Sequence, residues 1–220
     1  MLFDLRGRRR RAVQATYLTL AVLMGGGLVL FGIGGDVSGG LVDAFRGSGG
    51  DDGNDAIEQR IERNENRLAT RPGNEAALKQ LVRDHYALAA QQLPQGTAQF
   101  PAGARDELRE AGSYWQRYLE AEDGDPDASL AGLAIQVYDV GALNRPAEAQ
   151  RAAQIVADRT EDYQSYLQVV AYAGLAGDER TADLAAQRAV ALAPRALRRQ
   201  VRRQAEQLKK PVQRQQTQGG

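Results

Sequence analysis

Residues 12–35 form an uninterrupted stretch of 24 residues without a charged side chain. A helix of about 20 apolar residues crosses the hydrocarbon layer of a membrane, so this stretch is long enough for one span even when tilted. Four consecutive arginines at 8–11 precede it, and Asp36 ends it. Because basic flanks stay in the cytoplasm, we predict a single-pass anchor in the cytoplasmic membrane, with residues 1–11 as a cytoplasmic tail and the rest of the chain outside.

A cleaved signal peptide is the alternative interpretation of this segment. The apolar region of such a peptide normally has about 7–15 residues and ends at a small-residue cleavage site. The stretch here is longer, and only a poor site, Val37-Ser38-Gly39, follows it. The sequence therefore favours an uncleaved anchor and leaves cleavage open.

The remaining chain is predicted to be all-α. It supplies most of the 36 alanines, and aromatic residues make up only 6% of the protein. Alanine favours helices, whereas strands favour β-branched and aromatic residues. Residues 36–54 are rich in Gly and Asp and predict a linker, with a short amphipathic turn at the membrane surface as the alternative for its apolar residues. Residues 211–220, rich in Gln and Gly, predict a disordered tail.

Composition also limits the chemistry. The chain has no cysteine and a single histidine, His85. Disulfides, thiolate nucleophiles and cysteine-ligated metals are therefore excluded, and most hydrolase constellations have little to build on. Asp123, Asp125 and Asp127 alternate as at the start of a calcium loop, but the glycine and the bidentate glutamate of that loop are absent. We expect no enzyme, no cofactor, no metal site and no small-molecule substrate.

The clearest internal unit is residues 163–196. Apolar residues three and four positions apart share one helix face, and two such faces are separated here by Gly177-Asp178. Gly177 suits the left-handed conformation that ends a helix, and Pro194 stops the second helix. The first helix carries Tyr166, Val169, Val170 and Ala173, and the second carries Ala182, Ala186 and Ala189.

This spacing closely resembles the tetratricopeptide repeat, a helical hairpin with a 34-residue period. Two further units fit less well. One has Leu130 to Val137 and Ala149 to Val156, with Asp125 predicted as its helix cap and Pro126 as its first helical residue. The other has Leu78 to His85, capped by Asn74, and Ala111 to Tyr118, separated by an insertion at roughly 90–104 that we predict to be a loop.

Single helices are predicted on either side of these units, at residues 56–70 and 196–210. The second has a thin apolar stripe on a charged rod, as a terminal capping helix needs. Residues 55–210 thus resemble a short tetratricopeptide-repeat domain of about three repeats. With the anchor, the chain is similar to the single-span, envelope-facing tetratricopeptide proteins of bacteria.

The resemblance implies a protein-interaction scaffold without catalysis, in protein export or envelope assembly, whose protein partner is unidentified. Family geometry directs one face of each first helix into a concave groove; the candidate partner-binding residues there are Lys79, Arg83, Tyr86, Ile135, Tyr138, Gln164 and Gln168. Such a mixed apolar and amide groove suits an extended segment or a helix. The alternative is that the loop around Phe100 fills the groove itself.

A second function remains open at the basic C-terminal end. Residues 195–220 carry eight basic side chains and one glutamate, and could bind anionic lipid, a cell-wall polyanion or an acidic partner. The simpler interpretation is the solvated face of a capping helix. Nucleic-acid binding is not expected, because it would require a cytoplasmic domain. His85 occupies an aromatic position of the repeat pattern, so we expect it half-buried between helices in a structural role.

Overall fold

The secondary structure of the described chain is helical throughout. The computed structural model describes residues 51–94 and 96–209, and within them there are eight α-helices, one 3-10 turn at Ala102–Ala104 and no strand. The α-helices are α1 (Asp51–Thr70), α2 (Glu75–Gln91), α3 (Arg105–Ala121), α4 (Ala128–Tyr138), α5 (Pro146–Thr160), α6 (Tyr163–Ala176), α7 (Glu179–Leu192) and α8 (Arg198–Leu208). The predicted all-α class is therefore confirmed for these residues.

The predicted tail, span and most of the linker fall in residues 1–50, which lie outside the described residues, as does the predicted C-terminal tail. Among the helices that are described, none has the combination of length and hydropathy needed to cross a membrane. The described residues all fall in one compact unit of the chain, Phe45–Gly220.

Each helix packs mainly on its neighbours in sequence. The most extensive contacts join α2 with α3, α4 with α5, α5 with α6, and α6 with α7, and further contacts join α2 to α4 and α6 to α8. Two residues connect α5 to α6, and two connect α6 to α7. Because a short connection between long helices forces them antiparallel, the chain is built as successive helical hairpins.

The hairpin of α6 and α7 follows the predicted spacing. Gly177 ends α6 in the left-handed conformation with φ of 75°, as predicted. Asp178 then caps α7 by accepting a hydrogen bond of 3.0 Å from the backbone N–H of Thr181. Small side chains let the helices approach closely, and the buried alanines on α5 and α7 are Ala149, Ala152, Ala153, Ala157, Ala182, Ala185, Ala186 and Ala189.

Several predicted boundaries need correction. Helix α1 begins at Asp51 and so includes the last residues of the predicted linker, and the terminal helix is shorter than predicted at both ends. The cap of α4 is Asp127, not Asp125, because the Asp127 carboxylate accepts the N–H groups of Ser129 and Leu130. Asp125 instead forms an ion pair of 2.6 Å with Arg159 on α5. Asn74 caps α2 as predicted.

Candidate functional site

Three of the seven candidate partner-binding residues lie in the core. Tyr86 is 8% exposed, Ile135 is 4% exposed and Tyr138 is 2% exposed. Side chains this deeply buried offer almost no surface to a partner. Their apolar character, which made them candidates for a groove, is instead used for packing between helices.

Tyr138 is held between α3 and α4. Its hydroxyl donates to the backbone carbonyl of Gly112 at 3.0 Å and accepts a hydrogen bond of 3.2 Å from the Gln116 amide. Burial raises the pKa of this phenol. Tyr138 joins the first unit to the second through a hydroxyl that both donates and accepts a hydrogen bond.

Tyr86 connects α2 to α4 and to the insertion. Its hydroxyl donates to the Gln136 side chain at 2.6 Å, and its ring meets Phe100 edge-on with 6.1 Å between the centroids. The backbone N–H of Phe100 also donates to the carbonyl of Gly141 at 2.8 Å. The loop between α2 and α3 thus folds back on the first two units, and Phe100 packs against the core there.

Lys79 and Arg83 also make contacts within the chain. The Lys79 ammonium lies 5.0 Å from the centre of the Tyr118 ring and 3.9 Å from Glu75. Arg83 lies 3.9 Å from the Asp127 carboxylate, the cap of α4. Both side chains remain partly exposed, and ion pairs this long contribute little stability, so each can exchange its contact for another.

The two glutamines belong to a solvent-facing stripe on α6. Gln164 is exposed and Gln168 is partly exposed, and neither side chain forms a hydrogen bond with another described residue. Ala171 and Leu175 continue the same stripe, and Leu175 is 40% exposed. This stripe combines amide donors and acceptors with aliphatic surface, which is the chemistry predicted for the groove.

His85 is more buried than expected, at 7% exposure. Its Nδ1 atom lies 2.8 Å from a carboxylate oxygen of Glu107, and its ring stacks on Tyr114 with centroids 5.4 Å apart. Its Nε2 atom is buried without a hydrogen-bond partner in the described part of the chain. These contacts join α2 to α3 and give His85 a structural position between the helices.

A buried ion pair between α1 and α2 was not anticipated from the sequence. The Asp84 side chain is fully buried and accepts hydrogen bonds from Arg60 at 2.5 and 3.0 Å and from Gln80 at 2.9 Å. The spacing of Arg60 and Asp84 along the chain carries no signal for this pairing. The available signal is that Asp84 follows the apolar Leu81 by three residues and so lies on the helix face expected to be buried. A buried carboxylate needs a partner.

A polar cleft of about 330 Å³ lies where α3, α4 and α5 meet, and the sequence did not predict it either. We call it the arginine cleft. Its charged lining residues are Arg109, Arg145, Arg151 and Glu148, and its neutral polar ones are Ser113, Gln116 and Tyr138. Arg109 forms an ion pair with Asp106, and Arg145 lies 4.0 Å from Glu148. Arg151 has no ion pair with any described residue.

Helix α8 exposes part of the predicted basic end. Val201 and Ala205 are buried, whereas Arg199, Arg202 and Arg203 are exposed and form no ion pair within the described residues. Arg198 donates to the carbonyls of Ala193 and Ala191 at the end of α7. The helix therefore covers the end of the array with one face and presents charge on the other.

Comparisons of the chain with protein-family models, with curated proteins and with solved structures find no match.

Proposed function

We propose that this protein is a membrane-anchored interaction scaffold of the tetratricopeptide type, with its helical domain outside the cytoplasmic membrane, acting in protein export or envelope assembly. The anchor rests on the uncharged segment at residues 12–35 and its basic flank. The repeat character is supported by the successive hairpins, each packed on its neighbours in sequence.

The observation that carries the binding proposal is the stripe of Gln164, Gln168, Ala171 and Leu175 on α6. Gln164 and Leu175 are exposed and Gln168 and Ala171 are partly exposed, whereas the opposite face of α6 is deeply buried through residues such as Val169 and Val170. An extended segment or a helix from a partner protein can use the amides for hydrogen bonds and the aliphatic groups for burial. Lys79 and Arg83 would add charge on α2.

Site-directed photocrosslinking in intact cells tests this proposal. A photoreactive amino acid placed at Gln168 should capture a discrete protein partner, whereas the same amino acid at Gln187, an exposed position on α7, should not. Replacing Leu175 by Glu should reduce the capture from Gln168, because it places charge on the stripe. Equal products from both positions, or capture unaffected by the Leu175 substitution, would contradict a site on α6.

The topology is tested separately. Protease added to spheroplasts should digest the helical domain and spare the N-terminal tail, and the domain should stay with the membrane fraction. A protected domain would contradict the orientation. A soluble form that begins near Gly39 would show that the segment is a cleaved signal peptide.

A second candidate function rests on the exposed arginines of α8. Arg199, Arg202 and Arg203 could hold an anionic lipid surface or a cell-wall polyanion, with a steep dependence on salt because exposed charges are screened. Replacing all three by glutamine should lower the salt concentration that elutes the full-length chain, in detergent micelles, from an anionic resin if this function is correct. The same variant should leave the crosslink from Gln168 unchanged if the scaffold proposal is correct.

A further inference from the structure

The arginine cleft contains cations that are only partly paired within the described chain. In a second polar cleft, between α1 and α2, Arg60 is bound to the buried Asp84 and Arg67 donates to the Asn64 side chain at 3.1 Å, whereas Arg63 forms no ion pair with a described residue. In the arginine cleft, the nearest carboxylate to Arg145 is 4.0 Å away, and Arg151 has no ion pair in the described part of the chain. Arg109 is paired with Asp106, so the cations of the arginine cleft that keep hydrogen-bonding capacity for a ligand are Arg145, with its long contact, and Arg151.

The charge balance of the cleft lining is positive. Three guanidinium groups face one carboxylate, Glu148, and the partner of Arg109, Asp106, lies outside the lining. The three arginines come from α3, from the turn before α5 and from α5 itself, so the fold brings them together from separate elements. An anion bound in the cleft would be attracted by the positive balance of its lining.

Neutral donors complete the lining. The Ser113 hydroxyl has no hydrogen bond with another described residue, and the Gln116 amide uses one of its two N–H groups on Tyr138. Guanidinium groups present paired N–H donors in a planar fork, which matches the oxygens of a carboxylate or a phosphate. The volume is at the lower end of the range for small-ligand sites, so it suits a compact group.

We infer that the arginine cleft is a binding site for a compact oxyanion, either the side-chain carboxylate of an acidic peptide or a free phosphate. Arg145 and Arg151 are the main ligands, with Arg109 and Ser113 as further donors. Glu148 opposes binding and sets its strength. This site is distinct from the stripe on α6, and it requires neither a partner at that stripe nor the proposed scaffold function.

The test uses the full-length chain in detergent micelles and the polarisation of a fluorescein-labelled tetraglutamate peptide. Labelled tetraglutamine is the neutral control peptide. The double variant Arg145→Gln with Arg151→Gln should weaken tetraglutamate binding by about tenfold, since charge-assisted hydrogen bonds are lost. The matched control, Arg71→Gln with Arg180→Gln, removes the same charge from exposed positions elsewhere and should change binding less than about twofold.

A variant that binds more tightly is the control for misfolding, because a misfolded protein would lose binding. Glu148→Gln should strengthen tetraglutamate binding by about twofold to fivefold, because it removes the one negative charge in the lining. Competition with inorganic phosphate, at ionic strength matched with chloride, separates the two sources of oxyanion. Displacement by phosphate identifies a general oxyanion site, and resistance to phosphate identifies a peptide carboxylate site.

Two results would overturn the inference. The first is equal weakening by the cleft and control double variants, which would show unspecific attraction to basic surface. The second is an absence of saturable binding of both tetraglutamate and phosphate. Neither result bears on the photocrosslinking from Gln168, so failure of this site and failure of the scaffold proposal are distinguishable.

Discussion

The hydroxyl of Tyr138 donates to the backbone carbonyl of Gly112 on the neighbouring helix, and a β-carbon built on Gly112 would lie only 3.1 Å from that hydroxyl oxygen. A side chain at residue 112 would crowd the ring and hydroxyl of Tyr138. It also explains why Tyr138, a candidate groove residue by sequence, is only 2% exposed. The junction between the first and second units is therefore set by a glycine on α3 and a tyrosine on α4, two consecutive helices.

Gly112→Ala should destabilise the protein by about 1 kcal/mol. Alanine gains about 1 kcal/mol in helix propensity, but crowding a buried ring costs about 1–3 kcal/mol. Tyr138 cannot easily withdraw, because its hydroxyl is hydrogen-bonded on both sides. Gly132→Ala is the matched control, since nothing lies within 4 Å of its built β-carbon, and it should stabilise by about 0.5–1 kcal/mol. Thermal unfolding followed by circular dichroism measures both; equal stabilisation would contradict a tight contact at Tyr138.

Breaking the buried ion pair should be costly. Arg60→Gln leaves the fully buried Asp84 carboxylate with Gln80 as its remaining hydrogen-bond donor. Loss of one partner of a buried pair costs about 3–5 kcal/mol, and we expect about 2 kcal/mol here because Arg60 is partly exposed and water can enter. The double variant Arg60→Leu with Asp84→Leu should lose less than the sum of the two single variants. Additive losses in denaturant unfolding would show that the two side chains do not act as a pair.

Asp178 should make stability depend on pH in the acid range. Hydrogen bonds from the side chain and backbone of Thr181 and from Gln150 lower the pKa of Asp178 to about 2, from an ordinary 3.8. The unfolded chain therefore binds a proton more readily, so this contribution is present above about pH 4 and is lost as the pH falls through about 2. Asp178→Asn retains the capping oxygen but does not titrate. Its melting temperature should fall less than that of the unmodified protein between about pH 4 and about pH 2; parallel curves would exclude the effect.

Replacing Glu161 by glycine should increase the stability of the protein. It ends α5 in the left-handed conformation, with φ of 51°, whereas the equivalent end of α6 has Gly177. Glu161→Gly should stabilise by about 0.5–1 kcal/mol, because the side chain disfavours that conformation by more than glycine costs in unfolded-state entropy. Gln92→Gly at the end of α2, where φ is −83°, is the control and should destabilise by up to about 1 kcal/mol. Chemical unfolding measures the free energy of unfolding of both variants. A loss of stability with Glu161→Gly would contradict the argument.

The sequence predicted the helical class and the local signals best. Gly177 and Asn74 act where helix-end chemistry placed them, because caps depend on a few adjacent residues. Buried positions such as Leu78, Leu81 and Val82 followed from helical periodicity. The start of α4 was misplaced because three aspartates compete for the cap, and Arg159, which engages Asp125, is distant in sequence.

The functional surface was less predictable. A helical pattern identifies an apolar face, but it does not say whether that face meets another helix or a partner. Tyr86, Ile135 and Tyr138 therefore looked available and proved to be buried. The arginine cleft combines residues from α3, α4 and α5 and the turn before α5, so no short-range spacing of residues along the sequence predicts it.

The insertion that interrupts the repeat pattern, the loop between α2 and α3, links two hairpins to each other. Phe100 reaches both Tyr86 on α2 and the carbonyl of Gly141 in the turn before α5, so the loop bridges two consecutive hairpins. In a linear array of repeats, each unit contacts only its neighbours, so one unit can open locally without disrupting distant ones. This loop couples the stabilities of the first two hairpins, because opening either one breaks contacts made by the same loop. Local opening there becomes a larger and rarer event, and amides in α2 to α5 should exchange with solvent as one cooperative block.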